Sequence, residues 1–459
     1  MVHMTSKNEE NVIKNEEGKS VHVLERKSVI YKDLSSTLVQ EISDYSKQFA
    51  HIYAARLAEL GEVLTSKVHA KWKDIQILKL ADLEDFEGET CIIIGTLYKH
   101  QQWKPSILKE LSEEHQLSLP ASRSDYCSEK DQVFLEDEML RIKLVGKLVD
   151  LESIVTGIVC AVLGSEEKDG TFQVKDWCFP GCVPKTIASS NTNSNGKIVL
   201  ISGLNFIQNS DDLAIELLRE WICGMAGNAE AQQEEASVVR LIIAGNAISI
   251  NEKEYIHKKM SELKVEESMH AKETVSATQK LDDFLSDIAK CCCVTLMPGQ
   301  HDPTNRMLPQ RPLHPCLLPK SSRLGSFQGA CNPWISQIDK RMIIGSSGQP
   351  LEDIMKAAGS KDISPIEWLE KTITWRHMCP TAPDTLPAYP FYKKDLFIMK
   401  HCPDIYFTGN ADKYETKLWK GEQNQVIRLI SIPQFSKSHA AVLVDLDSLD
   451  TELIHFGIE

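Results

Sequence analysis

Several things are missing from this chain, and each absence narrows what it can be. No two of its 13 cysteines form a C-x-x-C pair, so the ligand spacing of a cysteine zinc ribbon is lacking. The odd cysteine count and the consecutive Cys291, Cys292 and Cys293 do not suit a disulfide framework. No stretch approaches the roughly 18 apolar residues of a membrane span. Residues 1–20 carry no apolar segment of the kind a secretory signal needs. Basic charge is short as well: 51 Lys and Arg against 65 Asp and Glu leave a formal charge of −14. That balance argues against a surface built to neutralise a phosphate backbone, and no strong basic strip hides within it. The expectation is an intracellular, reduced, soluble protein with little direct DNA binding.

What is present is enough apolar material, 42% of 459 residues, for several cores. Residues 1–33 read as a disordered tail. Over 34–64, apolar residues at Leu38, Ile42, Tyr45, Phe49, Ile52, Tyr53, Leu57 and Leu60 recur in steps of three and four, which predicts an amphipathic helix or helix pair. The pattern then shortens. Strands are predicted at Thr90–Tyr98, Gln132–Asp137, Met139–Gly146, Val155–Gly164 and Gly170–Cys178, with turn signals between them. Five short strands suggest a small β-barrel over 65–188, with an OB-fold as the leading candidate. Its aromatics, Tyr98, Trp103, Phe134 and Phe172, are expected in the core and not as a stacking platform for bases. Cys178 and Cys182 lie four apart without a second pair and read as ordinary thiols.

Ser189–Gly196 is a polar, turn-rich linker. Beyond it, over 197–459, buried-type strands alternate with helices, the signature of an α/β layered domain. Strands are predicted at Lys197–Gly203, Val238–Gly245, Cys291–Met297, Arg341–Gly345, Ile405–Thr408, Gln425–Pro433 and Ala440–Leu446; helices at Asp211–Gly224 and Lys280–Lys290. Residues 251–279 are charged and apolar-poor, which predicts an exposed or disordered insertion. The triple cysteine, placed on a strand, predicts alternating burial and inert thiols. Trp334 and Trp419 are expected to be partly buried against this domain.

Glycine-bearing loops close four of the strands: Ile201-Ser-Gly-Leu-Asn, Ile243-Ala-Gly-Asn-Ala, Met297-Pro-Gly-Gln-His-Asp and Tyr406-Phe-Thr-Gly-Asn-Ala-Asp. Ligands of α/β sheets gather at C-terminal strand ends, so these loops should converge. The series resembles the calcineurin-like metallophosphoesterases, whose motifs run D-x-H, G-D, G-N-H-D, a lone His and G-H-x-H and hold two metal ions. The resemblance implies a four-layer α/β fold. It also places Gly203 where the family has a ligand Asp, Asn205 for a His, and Asn246 for the Asp shared by both metals. Gln300 then replaces Asn beside the retained His301 and Asp302, His377 fits the lone histidine, and Asn410 and Asp412 replace the last two histidines. Gly203 offers no ligand, Asn246 is neutral where an anion must face two dications, and amide oxygens are weak substitutes for imidazole. No two-metal site, no cofactor and no phosphodiesterase activity are expected, with His301, Asp302 and His377 left as loop-fixing hydrogen bonders.

Three further segments narrow the resemblance: Gly299-Gln-His-Asp-Pro-Thr-Asn running on to His314-Pro-Cys, Gly345-Ser-Ser-Gly-Gln, and Pro380-Thr-Ala-Pro-Asp-Thr-Leu-Pro-Ala-Tyr-Pro-Phe. Together they resemble the B-subunit family of replicative DNA polymerases, in its delta branch, from Leu34 to the C-terminus. The resemblance implies a nuclear, non-catalytic scaffold made of an OB-fold and an inactive phosphoesterase domain. It further implies two partners: the cysteine-rich C-terminal module of the catalytic subunit and the N-terminal region of a third subunit. A small fourth subunit is left open.

Overall fold

The protein is described by a computed structural model, which covers residues 12–14, 20–22, 24–38, 48–104, 124–185, 196–209, 213–249, 260–360, 362–391 and 393–457. All five predicted barrel strands are there, at Cys91–His100, Gln132–Glu136, Arg141–Val145, Val159–Glu166 and Thr171–Cys178. They run round the barrel in the order first, second, third, fifth, fourth, and the fourth pairs back onto the first. Alternate residues point inward, as a half-buried strand requires. Leu97, Val133, Leu135, Leu144, Val162 and Phe172 thus fill the interior. Phe172 is the core residue expected of it, but Trp103 is 42% exposed and belongs to no core.

The helix ahead of the barrel is Ala50–Lys71, which overruns the expected end at Leu64 by two turns. Its buried stripe of Leu60, Leu64 and Val68 packs on Ile92, Val159 and Ala161 of the barrel wall. Residues 65–71 therefore belong to the helix and not to the barrel. In the earlier part of the 34–64 segment, Ser35–Thr37 forms a single 3-10 turn, and 39–47 lie outside the described residues.

The second half of the chain is two stacked six-stranded sheets. In order across the first are Phe327–Gly329, Cys293–Met297, Val238–Ala244, Lys197–Ile201, Ala440–Asp445 and Thr451–His455. Across the second are Glu415–Lys420, Val426–Pro433, Ile405–Ala411, Arg341–Ser346, Trp334–Ile338 and Tyr31–Asp33. Leu200, Ile242 and Met297 from one sheet meet Trp334, Phe407 and Ile432 from the other in a shared core. Burying a side chain of this size stabilises by about 1.5–3 kcal/mol, which explains why both central strands read as continuous apolar runs. Helices Leu213–Ile222 and Met260–Ala289 cover the outer face of the first sheet. Gln349–Ala358 and Pro365–Trp375 cover that of the second, completing four layers. The core under this last pair is continuous with the barrel interior, so the barrel packs directly on the α/β half.

Three expectations are corrected here. The 1–33 tail is not disordered throughout. Arg26 donates to the carbonyl oxygens of Glu235 (2.9 Å), Val238 (2.8 Å) and Ile222, and Tyr31–Asp33 pairs antiparallel with Ser336–Ile338 as an edge strand. The 251–279 segment is not an unstructured insertion from 260 onward. The helix begins at Met260, with Ala277 and Thr278 buried, while 251–259 lie outside the described residues. Among the described side chains, Lys272 and Glu273 are exposed while Ala277 and Thr278 face the core. Finally, the strand after the triple cysteine begins at Cys293, leaving Cys291 and Cys292 in the preceding turn. Trp334 is fully buried, more so than expected, and Trp419 is partly buried as expected.

Candidate functional site

The four glycine loops do converge. They line one open cleft of about 890 Å³ at the C-terminal strand ends, to which Gly203, Asn205, Asn246, Gln300, His301, Asn410 and Asp412 all contribute. Three of the four loops turn through left-handed residues. Asn205, Asn246 and Asn410 have φ of 50°, 53° and 56°, and Gly203 and Gly245 have 62° and 78°. Asn tolerates this region better than other side chains that carry a Cβ, because its short amide bonds locally. At Gly245 a Cβ would stand 2.6 Å from Cβ of Ser347 and 2.7 Å from Cα of Gly299, so only glycine lets three loops approach this closely.

Several polar side chains are engaged with these loops, although Oδ1 of Asn410 accepts no hydrogen bond among the described residues. Nδ2 of Asn410 donates to the carbonyl oxygens of Ala244 (3.0 Å) and Ser347 (2.9 Å), and its backbone N–H donates to Oγ of Ser202. Oδ1 of Asn246 accepts from the backbone N–H of His301 at 3.0 Å. Asp302 is buried beneath the cleft. Its carboxylate accepts from the backbone N–H of Gly299 (2.8 Å), Ala247 (3.3 Å), Ile248 (2.9 Å) and Ser249 (3.4 Å). Burial raises the carboxyl above its ordinary range against the pull of those four donors.

A fifth loop joins the cleft that the four-loop pattern does not include. Ser347, Gly348 and Gln349 line it, and Oγ of Ser347 donates to the carbonyl of Pro298 at 2.7 Å. The signal was visible in the Gly345-Ser-Ser-Gly-Gln segment, which sits at a strand end as the other four loops do. Gln434, Ser436 and Lys437 complete the far rim and carry no motif of their own.

His377 is not part of this cleft. It is 1% exposed and sits at the seam between helix Ala50–Lys71, the barrel and the α/β half. Its Nδ1 accepts from the N–H of Cys379 (3.1 Å), which leaves Nε2 to donate to Oδ2 of Asp395 (2.9 Å). The same Asp395 receives Nε of Arg56 at 2.6 Å, with both side chains fully buried. The remaining guanidinium nitrogens donate to the carbonyls of Gly157 (2.9 Å), Pro380 (2.8 Å) and Ala382 (2.7 Å). Burial, then the nearby Arg56 cation, pushes the imidazole down to about 4, so it is neutral at pH 7. Despite its burial, Asp395 is held well below the usual carboxylate range by Arg56 and His377. The lone-histidine placement is thus overturned: this residue completes a structural triad. Neither Arg56 nor Asp395 belongs to a sequence motif, so their role was not legible.

The donor set of the cleft does not fit a pair of metal ions. The space a side chain at position 203 would enter is bounded by Oδ1 of Asn410, 2.9 Å from where its Cβ would lie. The oxygen of Asn246 and both oxygens of Asp302 are already accepting backbone hydrogen bonds. Among the described residues no group of three or more His, Cys, Asp or Glu is arranged to hold a metal.

Comparison with known proteins agrees with this division. Residues 48–177 match the DNA polymerase delta subunit OB-fold domain, and residues 198–417 match the B-subunit family of DNA polymerases alpha and epsilon. The chain is 39% identical to DNA polymerase delta subunit 2 of Drosophila melanogaster over 94% of its own length and 98% of that protein's. It is 34% identical to the DNA polymerase delta small subunit of Oryza sativa, over 95% of this chain and 99% of the relative. The corresponding protein of Saccharomyces cerevisiae is 30% identical over 90% of each chain. With barrel and stacked sheets both matched and the full-length relatives this similar, the chain belongs to the DNA polymerase delta small-subunit family.

Proposed function

We propose that this protein is a non-catalytic scaffold of a nuclear DNA polymerase delta. It holds the cysteine-rich C-terminal module of the catalytic subunit on one side and the N-terminal region of a third subunit on the other. The observation that carries this reading is the similarity to delta small subunits along nearly the whole chain, barrel and α/β half together. The acidic balance supports it, since a chain of charge −14 is a poor grip for DNA. So does the cleft, where the Asn246 side-chain oxygen and the Asp302 carboxylate fasten one loop to the next. In this division helix Ala50–Lys71 and the barrel that follows it form the first part, and the inactive phosphoesterase domain, 197–459, the second.

The decisive experiment is co-expression of the full chain with the catalytic subunit's C-terminal cysteine module. Stable co-purification is expected, and its failure removes the central claim. Incubation of the chain with manganese and single-stranded DNA should give no turnover. A phosphodiesterase activity abolished by His301→Ala would replace the scaffold reading with an enzymatic one.

A further inference from the structure

The triple cysteine takes no part in the scaffold reading, and its first member is not where a strand pattern puts it. Cys291 lies in the turn after helix Met260–Ala289, half-buried. Across from it, just past the end of helix Leu213–Ile222, is Cys223, also half-buried, with the two sulfurs 3.3 Å apart. Both line a small cleft of about 380 Å³, open to solvent, together with Arg26, Gly224 and Gln232. By contrast Cys292, next in the chain, is 3% exposed.

We propose that Cys223 and Cys291 are a reversible oxidation site, forming a disulfide when the protein meets a hydroperoxide. A disulfide needs sulfurs at about 2.05 Å with free side-chain rotation to reach it. Two thiols already in contact, each at the end of its own helix, need only a small side-chain adjustment. The pair is also chemically unequal. The hydrogen bond shared with Cys223 and the Arg26 cation pull the Cys291 thiol down to about 7, against burial and the facing Asp287 carboxylate. The shared proton stays on Cys223, whose thiol is pushed up by the same hydrogen bond and by burial. Cys291 is thus the attacking thiolate and Cys223 the resolving thiol.

The step balances. The Cys291 thiolate attacks one peroxide oxygen, the O–O bond breaks, and a sulfenic acid and hydroxide result. The Cys223 sulfur then attacks the sulfenyl sulfur, the S–O bond breaks, and water leaves with the thiol proton. Two thiols are oxidised, one peroxide is reduced, and a dithiol reductant reverses the change. The product ties the outer helices of the first sheet together across 68 residues of sequence, beside the carbonyl of Ile222 that anchors Arg26.

A second thiol pair offers an internal comparison. Cys182 and Cys402 are half-buried with sulfurs 3.8 Å apart. The full chain is treated with stoichiometric hydrogen peroxide, free thiols are alkylated, and peptides are mapped by mass spectrometry. The expected result is a cross-linked peptide pair containing Cys223 and Cys291, absent after dithiothreitol and formed several-fold faster than any pair containing Cys182. In Cys223→Ser, Cys291 should stop at a sulfenic acid captured by dimedone. In Arg26→Gln, alkylation of Cys291 at pH 7 should slow at least threefold. A Cys291 that stays reduced, passes to sulfinic acid in the native chain, or pairs with another cysteine overturns the proposal.

Discussion

The cleft at the strand ends and the seam under helix Ala50–Lys71 are both built from polar side chains, yet they use them in opposite ways. In the cleft neutral amides and glycines fasten loops to one another beside open solvent. At the seam a guanidinium, a carboxylate and an imidazole are wholly enclosed, where every charge must be matched. A second enclosed cation also joins the barrel to the α/β half. Nζ of Lys99, from the barrel, donates to the carbonyls of Ala357 (3.0 Å) and Ala358 (3.3 Å) at the C-terminus of an α/β-half helix, and to Leu151 (2.6 Å). The negative end of that helix dipole suits an ammonium. The difference teaches that the enclosed cations here join two folded parts, while in the cleft the Asn246 and Asn410 amides, with the Asp302 carboxylate beneath them, hold loop to loop. Losing one partner at the seam strands a buried charge, whereas losing one in the cleft exposes a polar atom to water.

That contrast can be broken most forcefully at Arg56. Arg56→Met leaves Asp395 enclosed without its cation, and the expected cost is about 3–5 kcal/mol in urea unfolding. A loss below ~1 kcal/mol would put the seam on the same footing as the cleft.

Acid titration comes next. The His377 imidazole has an ordinary value of 6.5 but about 4 in the folded protein, so the unfolded chain takes up a proton first. Its contribution is therefore present above pH 6.5 and is lost as pH falls towards 4, by roughly 3 kcal/mol in all. Asp353, pushed up to about 6 by burial, works in the opposite sense over part of this range. The readout is accordingly the difference between the native chain and His377→Asn, measured at pH 7 and pH 4.5. A difference independent of pH would show that the imidazole is not held neutral.

Lys99→Met should cost about 2 kcal/mol, since three buried carbonyls lose their shared donor while the packing volume is kept. Equal stability of the two chains would mean that water replaces the ammonium. Smallest is the cleft itself. Asn246→Asp restores a carboxylate where the resemblance places a metal-bridging one, and keeps an acceptor for the His301 N–H. It should change stability by less than ~1 kcal/mol and create no manganese-dependent phosphodiesterase activity. Acquired turnover would show that the cleft lacks only one charge.

The barrel strands and the parallel strands of the first sheet were legible because each side chain's burial follows from its immediate neighbours, by alternation or by unbroken apolar runs. The convergence of the four loops was legible for a related reason, since strand ends in such sheets lie together. What the sequence hid depends on distant partners. His377 falls at a motif-like spacing, but its place is set by Arg56, some 320 residues earlier, and by Asp395. The start of helix Met260–Ala289 was hidden by its charged, apolar-poor composition, which resembles that of a disordered tract. Tyr31–Asp33 is three residues long, too short for any period to register.

That short strand has a consequence for the border of the second sheet. Tyr31–Asp33 is the outermost member of the second sheet, and beyond it Trp334–Ile338 would be the border. A chain beginning after Asp33 would expose the main-chain donors and acceptors of Ser336–Ile338 to any passing extended segment, including the same border on another copy. The N-terminal segment thus covers three residues of that border. Trimming it should raise self-association, read by light scattering, and also removes the packing of Val29 and Tyr31 on the shared core.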